Sequence, residues 1–397
     1  MLQNKIKQLA TSIHADTIAT RRHLHQHPEL SYQEVQTGKF VAERLADYGI
    51  EHTHGMAENG VVGIIRGKNP DKKTIALRAD MDALPIHEAN DVPYKSKNEG
   101  VMHACGHDAH TASLLGTAHI LNQVKDQFEG TIKLIFQPAE ERFPGGASIM
   151  IKEGVLKNPA PQSILGQHVH PPLEAGKIGM RGGMYMASAD ELYVTVKGRG
   201  GHGAAPNDCI DPVVITAHII TALQQVISRK NDPVSPSVLT FGKVIANGST
   251  NIIPNEVYME GTFRAMDEKW RAEAHIQMKK MAEMMAQSMG GTCEFRINKG
   301  YPFLINNEAL TAKVRQHAIN YLGAENVVEL PIRMSAEDFA YYSHEIPGVF
   351  YRLGTGNVAQ GITSAVHTTT FDIDESALEL STGLMAWMTV NELRGSS

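Results

Sequence analysis

Two rhythms of apolar patterning, the second interrupting the first, restrict the folds open to this 397-residue chain. From Lys39 to Leu165 short apolar runs at 61–65, 74–77, 131–136 and 163–165 alternate with helical periodicity, the pattern of a layered α/β sheet. After the glycine-rich stretch from Gly176 to Gly183 the order changes. A strand at 191–196 is followed by a helix at 212–227, strands at 238–245 and 257–264, a helix at 268–289 and a strand at 293–297. This β-α-β-β-α-β succession is the ferredoxin-like unit. From Asn306 the first rhythm resumes, with a strand at 349–353 and a last helix from Glu375. The reading is a layered α/β domain made of residues 1–183 and 299–397, with a ferredoxin-like α+β domain inserted at 184–298. Length agrees, because one hydrophobic core rarely organises so long a chain.

A formal charge of −6 with scattered Lys and Arg offers no basic field for nucleic acid or anionic lipid. Leu2, Ile6, Leu9 and Ile13 fall at helical spacing among polar residues, which describes an amphipathic surface helix rather than a signal peptide. No run approaches the roughly 18 apolar residues of a membrane span. Cys105, Cys209 and Cys293 are odd in number and far apart, which argues against a disulfide framework and for a reducing cytoplasm.

Two of the strands run directly into polar strings, and open α/β sheets bind ligands at such carboxyl ends. One string holds Asp80 and Asp82; the other is Gln137-Pro138-Ala139-Glu140-Glu141. A third strand precedes His168-Val169-His170, whose histidines, at i and i+2, share a side when extended. Ahead of an apolar helix at 112–121, the segment 102–110 crowds His103, Cys105, His107, Asp108 and His110 together. Thiolate, imidazole and carboxylate are the donors a borderline-soft divalent ion accepts. By residue type alone, each string also fits helix caps, solvated acids or surface histidines, and His367 is unexceptional.

Read in order, these strings resemble the metallo-aminoacylase and carboxypeptidase superfamily, in its amidohydrolase branch of hippurate hydrolases, auxin-conjugate hydrolases and N-acetyl-diaminopimelate deacetylases. The resemblance is nearly full-length. It runs from Arg21-Arg22-His23-Leu24-His25 and Pro28-Glu29-Leu30-Ser31, through 77–85, Cys105-Gly106-His107-Asp108 and 137–141, to 198–206, 261–264 and Ser335-Ala336-Glu337-Asp338-Phe339. It implies a zinc-peptidase-like layered α/β catalytic domain with the ferredoxin-like insert as a lid or dimerisation domain. It also implies two divalent metal ions per chain, Zn2+ or Mn2+ first and Co2+ or Ni2+ next. Their ligands would be Cys105, bridging, with His107, Glu141, His168 and His367. Glu140 would be the general base and Asp82 a supporting carboxylate, with Asp80 and Asp108 as weaker supports. His202 would steady the oxyanion; His202 and Asn251 would complete the substrate pocket, from the same chain or from the partner in a homodimer or higher homo-oligomer. Arg264 and a turn of Gly354, Thr355 and Gly356 would meet the substrate carboxylate.

The activity implied is metal-dependent hydrolysis of the amide bond of N-acyl amino acids by a metal-activated water. A dipeptidase or carboxypeptidase acting on short peptides is the alternative within enzymes, and an amino-acid- or metal-binding module the alternative outside them. The absence of a G-x-S-x-G string agrees with a mechanism lacking a serine nucleophile. Two departures concern substrate choice: His367-Thr368-Thr369 stands where His-Ser-Pro is usual, and His170 adds an imidazole that could compete for metal.

Overall fold

The computed structural model describes residues 1–394 and divides into two compact units. The first comprises Met1–Tyr185, Ile305–Pro331 and the chain from Asp338 onward; the second comprises Met186–Leu304 and Ile332–Glu337.

In the first unit, helices α1 (Leu2–Gln26) and α2 (Val35–Asp47) lead into strands β1 (Glu51–Met56), β2 (Gly60–Arg66) and β3 (Thr74–Asp80). Helix α3 (His107–Gln123) and strands β4 (Thr131–Gln137) and β5 (Ser163–Glu174) follow. An eight-stranded sheet has the order β1, β2, β4, β3, β5, Gly348–Gly356, Ile178–Met180, Val327–Glu329. Its centre, from β4 through β3 and β5 to Gly348–Gly356, is parallel. Every residue of β3 and β4 is buried, as expected of parallel strands covered on both faces. Charged residues within these strands are bonded rather than solvated. Lys133, for example, donates to the carbonyls of Val155 at 2.8 Å and Lys157 at 2.6 Å, while desolvation pulls its pKa down to about 8.

Parallel strands bring their carboxyl ends to one edge. Register pairs Asp80 with Gln137 and His168 with Arg352, so the polar strings leave the sheet at a common level. Strand β5 is much longer than the apolar run at 163–165 suggests. Pairing with Gly348–Gly356 carries it through His168 and His170 and past two prolines, so both histidines lie within the strand and not beyond it. Helix α1 likewise continues to Gln26. Its inner stripe, Ile6, Ala10, Ile13, Thr17, Arg21 and Leu24, keeps helical spacing but turns polar halfway along.

The second unit forms a four-stranded antiparallel sheet in the order Ser237–Ile245, Glu256–Ala265, Asp190–Lys197, Thr292–Lys299. Helices Pro212–Gln225 and Glu268–Ser288 pack together and on the sheet, completing the ferredoxin-like arrangement. Side chains cap both helices: Asp211 accepts from the Val213 N–H at 2.8 Å and Asp267 from the Trp270 N–H at 2.6 Å.

Candidate metal centre

The turn before α3 decides where the first donors point. Gly106 is its N-cap in the left-handed region, at φ +81°, and a Cβ there would lie 2.6 Å from a methyl of Val169. Both the backbone and the close packing require glycine. Cys105 therefore ends the loop and His107 opens the helix. Gly106→Ala is expected to cost about 2–4 kcal/mol of stability, from left-handed strain plus overpacking. Denaturant unfolding checks this, and an unchanged midpoint would mean that the turn relaxes freely.

Five side chains converge here. Cys105 Sγ lies 3.3 Å from His168 Nε2 and 3.3 Å from His367 Nε2. His367 Nε2 is 3.1 Å from Glu141 Oε1, and His107 Nε2 is 3.9 Å from the same oxygen. The donor atoms form two trios, Cys105 with His107 and His168, and Cys105 with Glu141 and His367, each spanning no more than 4.8 Å. Cys105 belongs to both. Glu140, nearly buried, shares a third group with His107 and Glu141 and accepts from the Asp338 N–H at 3.2 Å.

Hydrogen bonds set which imidazole nitrogen faces inward. His168 Nδ1 donates to the Val169 carbonyl at 2.7 Å, and His107 Nδ1 to Asp82 Oδ1 at 3.1 Å, so each presents Nε2 to the centre. His107 Nε2 is buried without a hydrogen-bond partner, an orphaned polar atom that a metal ion would satisfy. Asp82 is the organiser: it also accepts from Ser31 Oγ at 2.6 Å and from the N–H groups of Glu140 at 3.0 Å and Glu141 at 2.9 Å. One carboxylate thus fixes a histidine and both glutamates.

The electrostatics invite a cation. Burial alone would depress the His107 imidazolium, but Asp80, Asp82 and Glu141 reverse this and raise it to about 10. Burial, reinforced by Glu141 and Glu140, pushes the Cys105 thiol well above its ordinary range, so a thiolate there needs positive charge beside it. Burial also holds His168 well below its usual value, as a neutral imidazole with a lone pair. The donor set therefore fits divalent metal.

Other residues of interest lie elsewhere or do other work. His110 uses both nitrogens, donating to Asp80 Oδ1 at 2.6 Å and accepting from the Val169 N–H at 2.8 Å. Asp80 also pairs with Arg78 at 2.5 Å. His103 is buried with neither nitrogen bonded and belongs to none of the donor groups, and His170 is absent from them too. Asp108 faces away from the donors, accepting from Arg21 at 2.8 Å and His25 at 2.7 Å.

Gly354, Thr355 and Gly356 form no turn; they are buried inside the strand Gly348–Gly356. A Cβ on Gly354 or Gly356 would come within 2.1 Å of a β5 carbonyl, so close strand packing accounts for both glycines. His202, Asn251 and Arg264 belong to the second unit. There His202 pairs with Ile252, the Asn251 carbonyl accepts from the Gly203 N–H at 2.8 Å, and Arg264 is half-buried on Glu256–Ala265. Sequence reasoning gave no role to Ser31 or Asp338. A serine and an aspartate carry no signal until the fold brings them to Asp82 and Glu140.

Residues 76–388 match the family model described as peptidase family M20/M25/M40. The chain is 41% identical to thermostable carboxypeptidase 2 of Saccharolobus solfataricus, covering 96% of this chain and 95% of that one. It is 43% identical over 306 residues to an N-acyl-L-amino acid amidohydrolase of Geobacillus stearothermophilus, covering 77% and 82%. Among solved structures, a dinuclear metal-binding peptidase of the M20 family from Bacillus subtilis superposes with a TM-score of 0.84. It shares 36% identity, with 97% of this chain and 100% of that one covered.

Proposed function

The chain belongs to peptidase family M20/M25/M40, and on that premise we propose that it is a divalent-metal amidohydrolase cleaving the amide bond of N-acyl amino acids. The observation that carries this reading is the pair of donor trios sharing Cys105, with Glu140 beside them. Likeness to an N-acyl-L-amino acid amidohydrolase points to the substrate class. Zn2+ suits the sulfur and nitrogen donors by its softness, Mn2+ suits the carboxylates, and Co2+ or Ni2+ are the further candidates.

Bound divalent ions supply Lewis acidity, polarising a carbonyl and lowering the pKa of a water. Cys105, His107, Glu141, His168 and His367 would hold them. Glu140 takes the proton of the attacking water and returns it to the leaving amine. Asp82 keeps His107, Glu140 and Glu141 in register. By the family resemblance His202 would steady the oxyanion, and Asn251 and Arg264 would serve the substrate pocket, from the same chain or a partner copy in a homodimer or higher homo-oligomer. Three unpaired cysteines support a cytoplasmic setting. Among the described residues no helix is long and apolar enough to cross a membrane.

The test is a substrate panel on protein reconstituted with each of the four metals. N-acetyl and N-benzoyl amino acids are expected to exceed matched dipeptides by at least about tenfold in kcat/KM, a margin that pocket fit supplies. The reverse order would favour the carboxypeptidase reading, which the Saccharolobus relative supports. Hydrolysis of neither would overturn both.

A further inference from the structure

One proposed ligand differs from the rest. Cys105, His107 and His168 are buried and the Glu141 side chain is 14% exposed, whereas that of His367 is 52% exposed and so is held less by packing than the others. Its backbone lies in the left-handed region at φ +64°, a conformation a non-glycine residue keeps only where its surroundings impose it. The His367 N–H donates to the Ala104 carbonyl at 2.7 Å, which ties it beside Cys105, and around it Thr368 Oγ1 donates to the Ala365 carbonyl at 2.7 Å while the Ser364 and Thr370 hydroxyls lie 2.9 Å apart. Further restraints lie downstream. The Thr369 carbonyl accepts from the Ala89 N–H at 2.8 Å, the Phe371 carbonyl accepts from Asn90 at 2.9 Å, and Phe371 is fully buried.

Immediately after Phe371, Asp372 enters a buried charged knot. Arg21, fully enclosed, donates to Asp372 at 2.9 Å, to Asp108 at 2.8 Å and to Glu375 at 3.3 Å. Tyr94 lies under the Arg21 guanidinium, 4.8 Å from plane centre to carbon, and its hydroxyl donates to Asp372 Oδ2 at 2.7 Å. Arg21 thus joins the first turn of α3, which carries His107, to the segment that carries His367. The two ends differ in redundancy. Without Arg21, Asp108 keeps His25, while among the described side chains Asp372 keeps Tyr94 alone.

We propose that Arg21 and Tyr94 are positioning residues that hold the 367–375 segment through Asp372 and thereby set His367 for the ion it shares with Cys105 and Glu141. The proposal rests on the metal-centre reading above. It makes the clamp selective: the ion held by Cys105, His107 and His168 has its own buried scaffold.

The test is stepwise Zn2+ binding by competition against a chromophoric chelator, on the wild type, Tyr94→Phe, Asp372→Asn, Arg21→Lys and His367→Ala, with thermal unfolding of each metal-free protein. His367→Ala marks which of the two binding steps belongs to that residue. Tyr94→Phe and Asp372→Asn are expected to weaken that same step by about 10–100-fold, the usual effect of removing a group that orients a ligand. The other step and the metal-free unfolding of Tyr94→Phe should stay as in the wild type. Arg21→Lys, which keeps the charge and loses the fork, should weaken the same step if it folds, and Tyr94→Phe decides the matter if it does not. Unchanged affinity in Tyr94→Phe and Asp372→Asn, or equal weakening of both steps with lost metal-free stability, would overturn the clamp. A wild type that binds fewer than two ions would instead sink the metal-centre reading and the clamp with it.

Discussion

Glu140→Gln is expected to fold, to keep both metal ions and to lose about 10²–10⁴-fold in kcat, the range a positioned general base contributes. Glutamine retains an oxygen that can accept from the Asp338 N–H, so the local geometry has no reason to change. It cannot take a proton. The backbone N–H at position 140 also remains on Asp82, leaving the neighbouring Glu141 undisturbed. Steady-state kinetics together with elemental analysis of the same sample read both halves of this expectation. Full activity at normal metal content would move the base elsewhere, whereas low activity with low metal content would make Glu140 a ligand.

The second large effect concerns Cys105, the donor common to both trios. Cys105→Ser is expected to weaken metal retention by at least about 100-fold, beyond the upper end of what losing an orienting group costs. A serine hydroxyl does not ionise in this buried, acid-rich position, so it cannot replace the thiolate. Cys209→Ser and Cys293→Ser serve as controls. Cys209 Sγ lies 3.6 Å from the Ala205 carbonyl, and Cys293 sits on an edge strand of the ferredoxin-like sheet. Both belong to the second unit. Dialysis against a chelator should strip Cys105→Ser first; equal loss from all three variants would refute the cysteine assignment.

Much of the fold and of the donor set is legible in the sequence, for physical reasons that differ by region. The ferredoxin-like elements could be read because their apolar runs follow one another in a β-α-β-β-α-β order that differs from the alternation before and after them. The donor strings could be read because parallel strands deliver their carboxyl ends to one edge, so chemistry-bearing residues after several strands belong together. Illegible were the places where burial is polar. The second half of α1 hides Arg21 and His25 in the interior, and no hydrophobic period reports that. Nor does composition distinguish His107, which offers a free nitrogen, from His110, whose two nitrogens are spent on Asp80 and Val169. The glycines at 354 and 356 read as a turn because sequence cannot show a neighbouring carbonyl pressing on the strand.

The separation of Cys105 from His367, 262 residues along the chain, has a consequence for how the protein is made. During translation the first donors, Cys105 and His107, leave the ribosome long before the last, and residues 186–304, a compact unit of their own, must pass in between. A nascent chain therefore owns at most one trio until nearly the whole sequence is out. The ring closed between Cys105 and His367 carries the entropic cost of a long loop. Here the parallel pairing of β5 with Gly348–Gly356 closes most of it. On the proposed ligand set, completion of the trio that needs His367 would thus be a late event, on a sheet already assembled, unlike a zinc finger, in which the ion supplies the fold itself.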